Sequence, residues 1–226
     1  QSAIAKVPEY LSDEEAACVP LTALTALQAF ELMRLKKGET VFISGGTGSL
    51  GAMAIPVAKS FGLTVITNGN GASEERVKKL GADRFIDYRK EDYSEVLSDV
   101  DYVLDTLGER ELPKEFAVLK QGGSLVSLRG LPNGEFAARS GMSFIKRMMF
   151  KLAGSKYDKM AAAKGQKYFF IFVHEDGAGL DRITEILKDT HLEASVDEVF
   201  SLDDVNMAMK KVASGGSKGK TILKIS

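Results

Sequence analysis

The sequence predicts an α/β protein with a parallel sheet of about six strands and helices packed on both faces of it. Short, almost wholly apolar segments alternate with helix-forming segments between residues 40 and 173, which is the pattern of successive β-α-β units. Nearly continuous apolar runs are typical of strands covered on both faces. With 226 residues, 44% of them hydrophobic, the chain is long enough for one large domain, alone or with appendages.

The elements are predicted in order from local signals. Residues 12–36 are predicted to be helical, because Ser12 and Glu15 form a capping-box pattern and leucines recur at helical spacing. Six strands are predicted at Val41–Ser44, Leu63–Thr67, Arg84–Asp87, Asp101–Asp105, Ser124–Leu128 and Phe169–Val173. Helices are predicted at Ala52–Phe61, Glu74–Leu80, Tyr93–Leu97, Glu111–Leu119 and Gly179–Lys188. A short strand at Glu198–Phe200, a helix from Ser201 to Val212 and a last strand at Thr221–Ile225 complete the prediction.

The segment from residue 131 to residue 167 interrupts the alternation. Between Arg139 and Lys167 it carries eight basic residues and one acid, together with an apolar stripe rich in methionine. We expect one amphipathic helix docked on the domain with its basic face in solvent. A wall over a substrate cleft, a partner-docking helix and a contact with an anionic membrane are the alternatives.

The first strand leads into a glycine-rich turn that predicts dinucleotide binding. Residues 40–51 read Thr-Val-Phe-Ile-Ser-Gly-Gly-Thr-Gly-Ser-Leu-Gly, and a helix-forming run follows at once. Gly46, Gly48 and Gly51 have the G-x-G-x-x-G spacing, and Ser49 and Leu50 lie between them. The start of a helix offers free N–H groups and a positive dipole end to a diphosphate.

The end of the second strand favours NADP over NAD. NAD-preferring sites usually carry an acid there for the ribose 2′-hydroxyl, whereas this chain has Thr67 and Asn68. The loop from Asn68 to Ser73 offers polar donors instead, and Arg76 follows it. A surface loop without ligand contact is the alternative.

Nine different short motifs follow one another along nearly the whole chain. They are Pro8–Ala17, Pro20–Ala26, Leu35–Val41, Ala58–Lys59, Leu80–Asp83, Ile86–Asp92, Val103–Gly108, Gly122–Ser127 and Gly219–Lys224. This series resembles the zinc-independent quinone oxidoreductase branch of the medium-chain dehydrogenase/reductase superfamily, least of all across residues 131–167. The resemblance implies a six-stranded Rossmann sheet, NADP(H) as cofactor, and hydride transfer to a quinone, an enone or another activated carbonyl or alkene.

The resemblance also implies how the chain is organised. We expect a leading helical segment (1–38), a Rossmann dinucleotide-binding domain (39–200, with 131–167 as a helical insertion) and a C-terminal helix and strand (201–226). In relatives, a GroES-like β domain precedes this portion and supplies most of the substrate pocket, and the last strand returns to it. We therefore expect this sequence to be the cofactor-binding portion of a two-domain reductase that forms homodimers through the edge strand near residues 169–173.

Individual cofactor contacts are carried over by position. The resemblance implies that Thr25, Phe172 and Val173 lie near the nicotinamide, and that Tyr88 and Lys218 lie near the adenosine phosphate. The complete set of expected cofactor contacts is Thr25, Gly46, Gly48, Ser49, Leu50, Gly51, Asn68, Asn70, Ser73, Tyr88, Thr106, Leu128, Gly130, Phe172, Val173 and Lys218. Leu107 and Arg129 accompany them at the ends of the fourth and fifth strands, where ligands of such sheets bind.

Several other functions are disfavoured. A short-chain dehydrogenase needs Tyr-x-x-x-Lys, and none of the tyrosines has a lysine four residues later. Metal binding is not expected, since only Cys18, His174 and His191 offer soft ligands and they are far apart in sequence. Balanced charge and the lack of a long apolar run argue against nucleic-acid and membrane partners.

The sequence says little about the cellular setting of the protein and about its proton donor. A lone cysteine favours a reducing, cytoplasmic setting. No side chain is a convincing proton donor, so no catalytic residue is assigned, and a non-catalytic NADP(H)-binding module or sensor is the main alternative to an enzyme.

Overall fold

A six-stranded parallel sheet forms the centre of the computed structural model, which describes residues 3–190, 195–215 and 219–225. The strands are β1 (Thr40–Ser44), β2 (Thr64–Gly69), β3 (Arg84–Asp87), β4 (Val100–Asp105), β5 (Leu119–Ser127) and β6 (Lys167–Phe170). Their order is β3-β2-β1-β4-β5-β6, so the direction of winding reverses between β1 and β4. Ligands of open α/β sheets bind at such a reversal, beyond the carboxyl ends of the strands.

The described helices that accompany these strands have between 4 and 14 residues. They are α1 (Asp13–Cys18), α2 (Pro20–Met33), α3 (Ser49–Ser60), α4 (Glu74–Lys79), α5 (Tyr93–Val96), α6 (Leu112–Val118), α7 (Gly134–Arg139), α8 (Phe144–Ala153), α9 (Ser155–Ala162), α10 (Gly177–Thr190) and α11 (Val205–Ser214). Two further strands, β7 (Val196–Ser201) and β8 (Lys220–Lys224), pair in parallel with each other as a separate two-stranded sheet.

The sheet separates two apolar cores, because successive side chains of a strand point to opposite faces. Val41 and Ile43 of β1 belong to the core under α2, α3 and α10. Phe42, between them, belongs to the other core, under α5, α6 and α9. The prediction of a parallel sheet with helices on both faces is therefore confirmed.

The leading segment forms two helices, whereas the sequence predicts one. Val19 ends α1, and Pro20 begins α2 at a position where a proline needs no N–H donor. The second helix ends at Met33 because Arg34 takes a left-handed conformation with φ 55°. Among the helices that the structure describes, none is long and apolar enough to cross a membrane.

The basic segment is also more broken than predicted. It forms α7, α8 and α9 instead of one helix. Gly141, with a φ of +65°, follows α7, and Gly154 separates α8 from α9 at a point where an added Cβ would overlap Asn133. The apolar stripe of α8 does not dock on the domain, since the helix has no buried residue.

The sixth strand, Lys167–Phe170, begins two residues earlier and ends three residues earlier than predicted. It pairs with β5 only as far as β5 extends, with Ser127 opposite Phe170. Phe172 and Val173 therefore lie beyond the strand. The outward-facing carbonyls of β6 are engaged by side chains: Asn133 Nδ2 donates to Tyr168 O at 3.3 Å and Arg139 Nη2 to Phe170 O at 2.9 Å.

Candidate functional site

The glycine turn between β1 and α3 is held to the end of β2. The Gly45 N–H donates to Asn68 Oδ1 at 2.7 Å, and the Gly46 N–H donates to the Asn68 carbonyl at 3.1 Å. Thr67 Oγ1 donates to the Ile43 carbonyl at 2.6 Å. Asn68 is buried, and its side chain holds the turn in this position.

The three glycines of the G-x-G-x-x-G spacing are glycines for different reasons. A Cβ at Gly46 would overlap the Thr67 side chain, and a Cβ at Gly51 would overlap the Cα of Gly46. A Cβ at Gly48 would only touch the Gly45 carbonyl oxygen at 3.5 Å, which is an ordinary contact. The protein itself therefore leaves room in front of Gly48, where a bound phosphate would approach the backbone.

The start of α3 is open to a ligand. Gly48 is the N-cap residue, and no side chain caps the helix. Gly48 and Ser49 are exposed, and Leu50 is half-buried. The first N–H groups of the helix and its positive dipole end thus point toward solvent at the carboxyl end of the sheet. These features fit a diphosphate.

A cleft of about 610 Å³ opens beside this turn. Four of the residues expected to contact the cofactor line it: Gly48, Asn68, Tyr88 and Thr106. The Tyr88 side chain is exposed. Thr106 Oγ1 donates to the Ser44 carbonyl at 2.7 Å, which fixes the mouth of β4 against that of β1.

Sequence reasoning missed the far wall of this cleft. It contains Glu91, Asp92, Tyr93, Glu111 and Lys114. Tyr93 Oη donates to Glu111 at 2.9 Å, and Lys114 binds Asp92 at 2.5 Å. The Lys114 ammonium lowers the pKa of Asp92 to about 2. Asp92 caps α5 by accepting from the Ser94 N–H. This N-cap pattern is the one local signal in the sequence that marks the segment, and it indicates a helix start, not a position beside the cleft.

The polar residues after β2 differ in how close they lie to the glycine turn. Asn70 caps a 3₁₀ turn at Gly71–Ser73 by accepting from the Ala72 N–H at 3.1 Å, and Ser73 is half-buried. Arg76, in α4, reaches back to the glycine turn, where its Nη2 donates to the Thr47 carbonyl at 2.5 Å. The structure therefore brings a guanidinium next to the turn, which spacing alone did not reveal.

The turns after β4 and β5 are shaped by buried polar groups. The Asp105 carboxylate accepts from the Leu107 and Gly108 N–H groups at 2.8 and 2.7 Å and from Ser127 Oγ at 2.5 Å. The Leu128 N–H donates to the Asp105 carbonyl. A Cβ at Gly130 would overlap Tyr168 Oη, so this glycine is required by packing within the protein.

The residues expected near the nicotinamide are placed elsewhere than the first cleft. Thr25 is buried within α2, and its Oγ1 donates to the Leu21 carbonyl at 2.6 Å. Phe172 and Val173 line a second cleft of about 580 Å³ together with His174. Lys218 and His191 lie outside the described residues.

Gln28 positions the chain after β6. Its amide donates to the His174 carbonyl at 3.0 Å and accepts from the His174 N–H at 3.2 Å. This pairing replaces the strand contact that β5 no longer offers. Sequence reasoning did not find it, because Gln28 and His174 are 146 positions apart.

A fully buried carboxyl, Glu115 of α6, lies behind the site. In the part of the chain that the structure describes, neither of its oxygens makes a hydrogen bond, and the same is true of the buried Ser44 hydroxyl. Burial, reinforced by the charge of Asp105, raises the pKa of Glu115 well above its usual range. Burial disfavours the charged form of this carboxyl, and the nearby negative charge of Asp105 acts in the same direction.

The described residues contain no group of three or more His, Cys, Asp and Glu side chains arranged to hold a metal ion. Cys18 is buried, and burial raises the pKa of its thiol. It packs in the core beneath α1 and α2.

Comparison with known proteins places this geometry among dehydrogenases. The family described as "Zinc-binding dehydrogenase" matches residues 80–223. The chain is 33% identical to 2-methylene-furan-3-one reductase of Solanum lycopersicum over 72% of its length, and 30% identical to the mitochondrial NAD(P)H oxidoreductase RTN4IP1 of Danio rerio over 96%. These alignments cover 42% and 58% of the two relatives.

A solved structure agrees with this match. The quinone oxidoreductase from Coxiella burnetii superimposes with a TM-score of 0.79 at 26% identity, covering 96% of this chain and 62% of that one. The chain thus spans less than two thirds of the length of these relatives.

Proposed function

This chain belongs to the zinc-binding dehydrogenase family and forms the cofactor-binding portion of a medium-chain dehydrogenase/reductase, and we propose that it binds NADP(H) as part of an oxidoreductase. The proposed reaction is zinc-independent hydride transfer to a quinone, an enone or a similar activated carbonyl or alkene. The relatives named as NAD(P)H oxidoreductase, furanone reductase and quinone oxidoreductase support this substrate class.

The observation that carries the proposal is the space in front of Gly48. Neither the conformation of Gly48, with a φ of −76°, nor its protein neighbours require a glycine there. A ligand that approaches the backbone explains it. The uncapped start of α3 supplies the donors that a diphosphate needs at the same point.

The residues of this chain would bind and orient the cofactor. When bound, the cofactor supplies the hydride. The N–H groups at the start of α3 would hold the diphosphate, and Asn68 would keep the turn in place. Tyr88, Thr106 and Leu107 would line the adenosine side of the first cleft. No proton donor is assigned.

Selection of NADP over NAD is proposed from charge. The end of β2 reads Thr67, Asn68, Gly69 and carries no acid that would repel a 2′-phosphate. Arg76 adds a guanidinium beside the glycine turn, and only part of its donor capacity is used by Thr47.

Titration with NADPH and NADH side by side tests the cofactor assignment. We expect both to bind saturably, followed by the fluorescence of the reduced nicotinamide because the chain has no tryptophan, with the lower Kd for NADPH. A lower Kd for NADH would contradict the proposed selectivity, and saturation by neither would contradict cofactor binding.

Turnover is tested separately. The full-length protein is expected to oxidise NADPH with a quinone after dialysis against a chelator, and elemental analysis is expected to find no stoichiometric zinc. Cofactor binding without turnover on any quinone or enone would favour the sensor alternative.

A cytoplasmic setting is also proposed. Cell fractionation tests it, and finding the protein in mitochondria, the location named for one relative, would contradict the proposal.

A further inference from the structure

The helix α8 presents an apolar face away from the protein. Its inward residue is Phe150, whose ring packs edge-on against Phe136 of α7 at 6.1 Å. The outward apolar residues recur at i, i+1, i+4, i+5 and i+8, so they form one stripe. These side chains are between 44% and 74% exposed and are Phe144, Ile145, Met148, Met149 and Leu152.

Basic side chains flank this stripe. Lys146 and Arg147 on one turn and Lys151 on the next are all exposed. Within the described part of the chain, none of the three forms a salt bridge. The surrounding segment carries eight basic residues and one acid in a chain whose net charge is −1. The acid, Asp158, accepts from Asn133 Nδ2 at 2.7 Å.

We propose that α8 docks this protein on an anionic lipid surface. The outward apolar stripe would enter the boundary between headgroups and acyl chains, and the flanking cations would meet the negative headgroups. Long basic side chains suit this arrangement, because their stems lie along apolar surface while their charges stay in the polar layer. This is peripheral attachment by a ten-residue helix lying in the surface plane.

A second exposed apolar helix lacks the charge signature and serves as the control. Met207 and Met209 of α11 are 56% and 64% exposed. Asp203 and Asp204 precede that helix, and its Lys211 is paired with Asp197 and Glu198. Exposure of apolar side chains is therefore common to both helices. Among the described residues, α8 carries three cations outside any salt bridge, whereas α11 carries one, Lys210.

Co-sedimentation with vesicles tests the proposal. Vesicles of phosphatidylcholine with about 30 mol% phosphatidylserine are compared with vesicles of phosphatidylcholine alone. We expect binding to the anionic vesicles that weakens as salt is raised. The triple variant Lys146→Gln, Arg147→Gln, Lys151→Gln is expected to lower the partition coefficient about fivefold for each charge removed.

The apolar contribution needs its own variants. Ile145→Asp with Met149→Asp is expected to abolish vesicle binding, whereas Met207→Asp with Met209→Asp on α11 is expected to leave it unchanged. Circular dichroism checks that each variant is folded. Failure to bind anionic vesicles, equal binding to neutral vesicles, or equal loss in the α11 variant would each overturn the proposal.

The test also separates another occupant of this face. Sedimentation velocity without lipid reports self-association of the same variants. A dimer that is lost in the α8 double variant, in a protein that ignores anionic vesicles, would show that a second copy covers this face and would overturn the lipid assignment. Because NADPH titration does not depend on α8, failure here leaves the proposed function standing.

Discussion

Gly46 and Gly48 belong to the same motif, but glycine is needed at the two positions for different reasons. Gly46 is required by the contact between the turn and Thr67, whereas Gly48 borders open space. Substitutions should therefore separate folding from binding.

We expect Gly48→Ala to weaken NADPH binding about tenfold or more, since its methyl group would stand where the phosphates approach. Its unfolding free energy should fall less than that of Gly46→Ala, because the backbone conformation suits alanine and only the poorer N-cap preference of alanine opposes it. Gly46→Ala is the contrast: its Cβ overlaps Thr67, and a loss of about 1–3 kcal/mol of unfolding free energy is expected. Fluorescence titration and thermal unfolding measure both effects. Equal NADPH affinity in Gly48→Ala would contradict diphosphate binding at this turn.

Arg76 belongs to the same scale, because one guanidinium is proposed to set cofactor selectivity. We expect Arg76→Gln to raise the Kd for NADPH about tenfold while changing the Kd for NADH little, since only NADPH carries the 2′-phosphate. Lys79→Gln, an exposed cation at the end of the same helix, is the matched control and should change neither. A parallel loss for both cofactors would mean that Arg76 only supports the turn through Thr47.

At the scale of elements, α6 carries a buried acid against the ends of two strands. Glu115 lies close to Asp105 of β4 and Ser44 of β1. Glu111 and Tyr93 of α5 are also near enough to interact with its charge. Its pKa in the folded protein is raised above the value of about 4.3 in the unfolded chain. Its contribution to stability is therefore complete below that value and is lost as the pH rises through the folded pKa.

Glu115→Gln should consequently stabilise the protein at neutral pH. The gain in unfolding free energy over the wild type is expected to grow by at most about 1.4 kcal/mol per pH unit between pH 5 and pH 8. Urea unfolding across this range measures it, with the exposed Glu95→Gln as control. A difference in unfolding free energy between the glutamine variant and the wild type that is the same at every pH would contradict a raised pKa for Glu115.

The α8 helix illustrates another limit at this scale. The sequence predicts one amphipathic helix docked on the domain, whereas the segment forms three helices and the apolar face of α8 points away from the domain. Periodicity describes a helix in isolation, whereas packing of Phe150 on Phe136 decides which side faces the domain.

At the scale of the whole molecule, the homodimer expected from the sequence would depend on the edge of β6. Among the strands that the structure describes, β6 pairs with β5 alone, so its other edge faces outward. Arg139 and Asn133 already engage two of its outward carbonyls, and such coverage is one way that edge strands avoid pairing.

If copies pair through β6, they must displace Arg139 from the Phe170 carbonyl. We therefore expect Arg139→Ala to lower the dimer dissociation constant several-fold, within the range of about 0.5–1.5 kcal/mol for one hydrogen bond. Sedimentation velocity at micromolar concentrations measures it, with the exposed Arg129→Ala as control. A monomer in both proteins, or weaker association in Arg139→Ala, would contradict pairing through this edge.

The sequence alone determined the alternation of strands and helices, the glycine turn and the family resemblance. These depend on near neighbours: an apolar run, a turn and a helix start occur within 12 residues at 40–51. Tertiary structure decided what lies far apart in the chain, namely the bond from Arg76 to Thr47, the pairing of Gln28 with His174 and the burial of Glu115. Spacing carries no information about such contacts, because they form only when separate elements have packed.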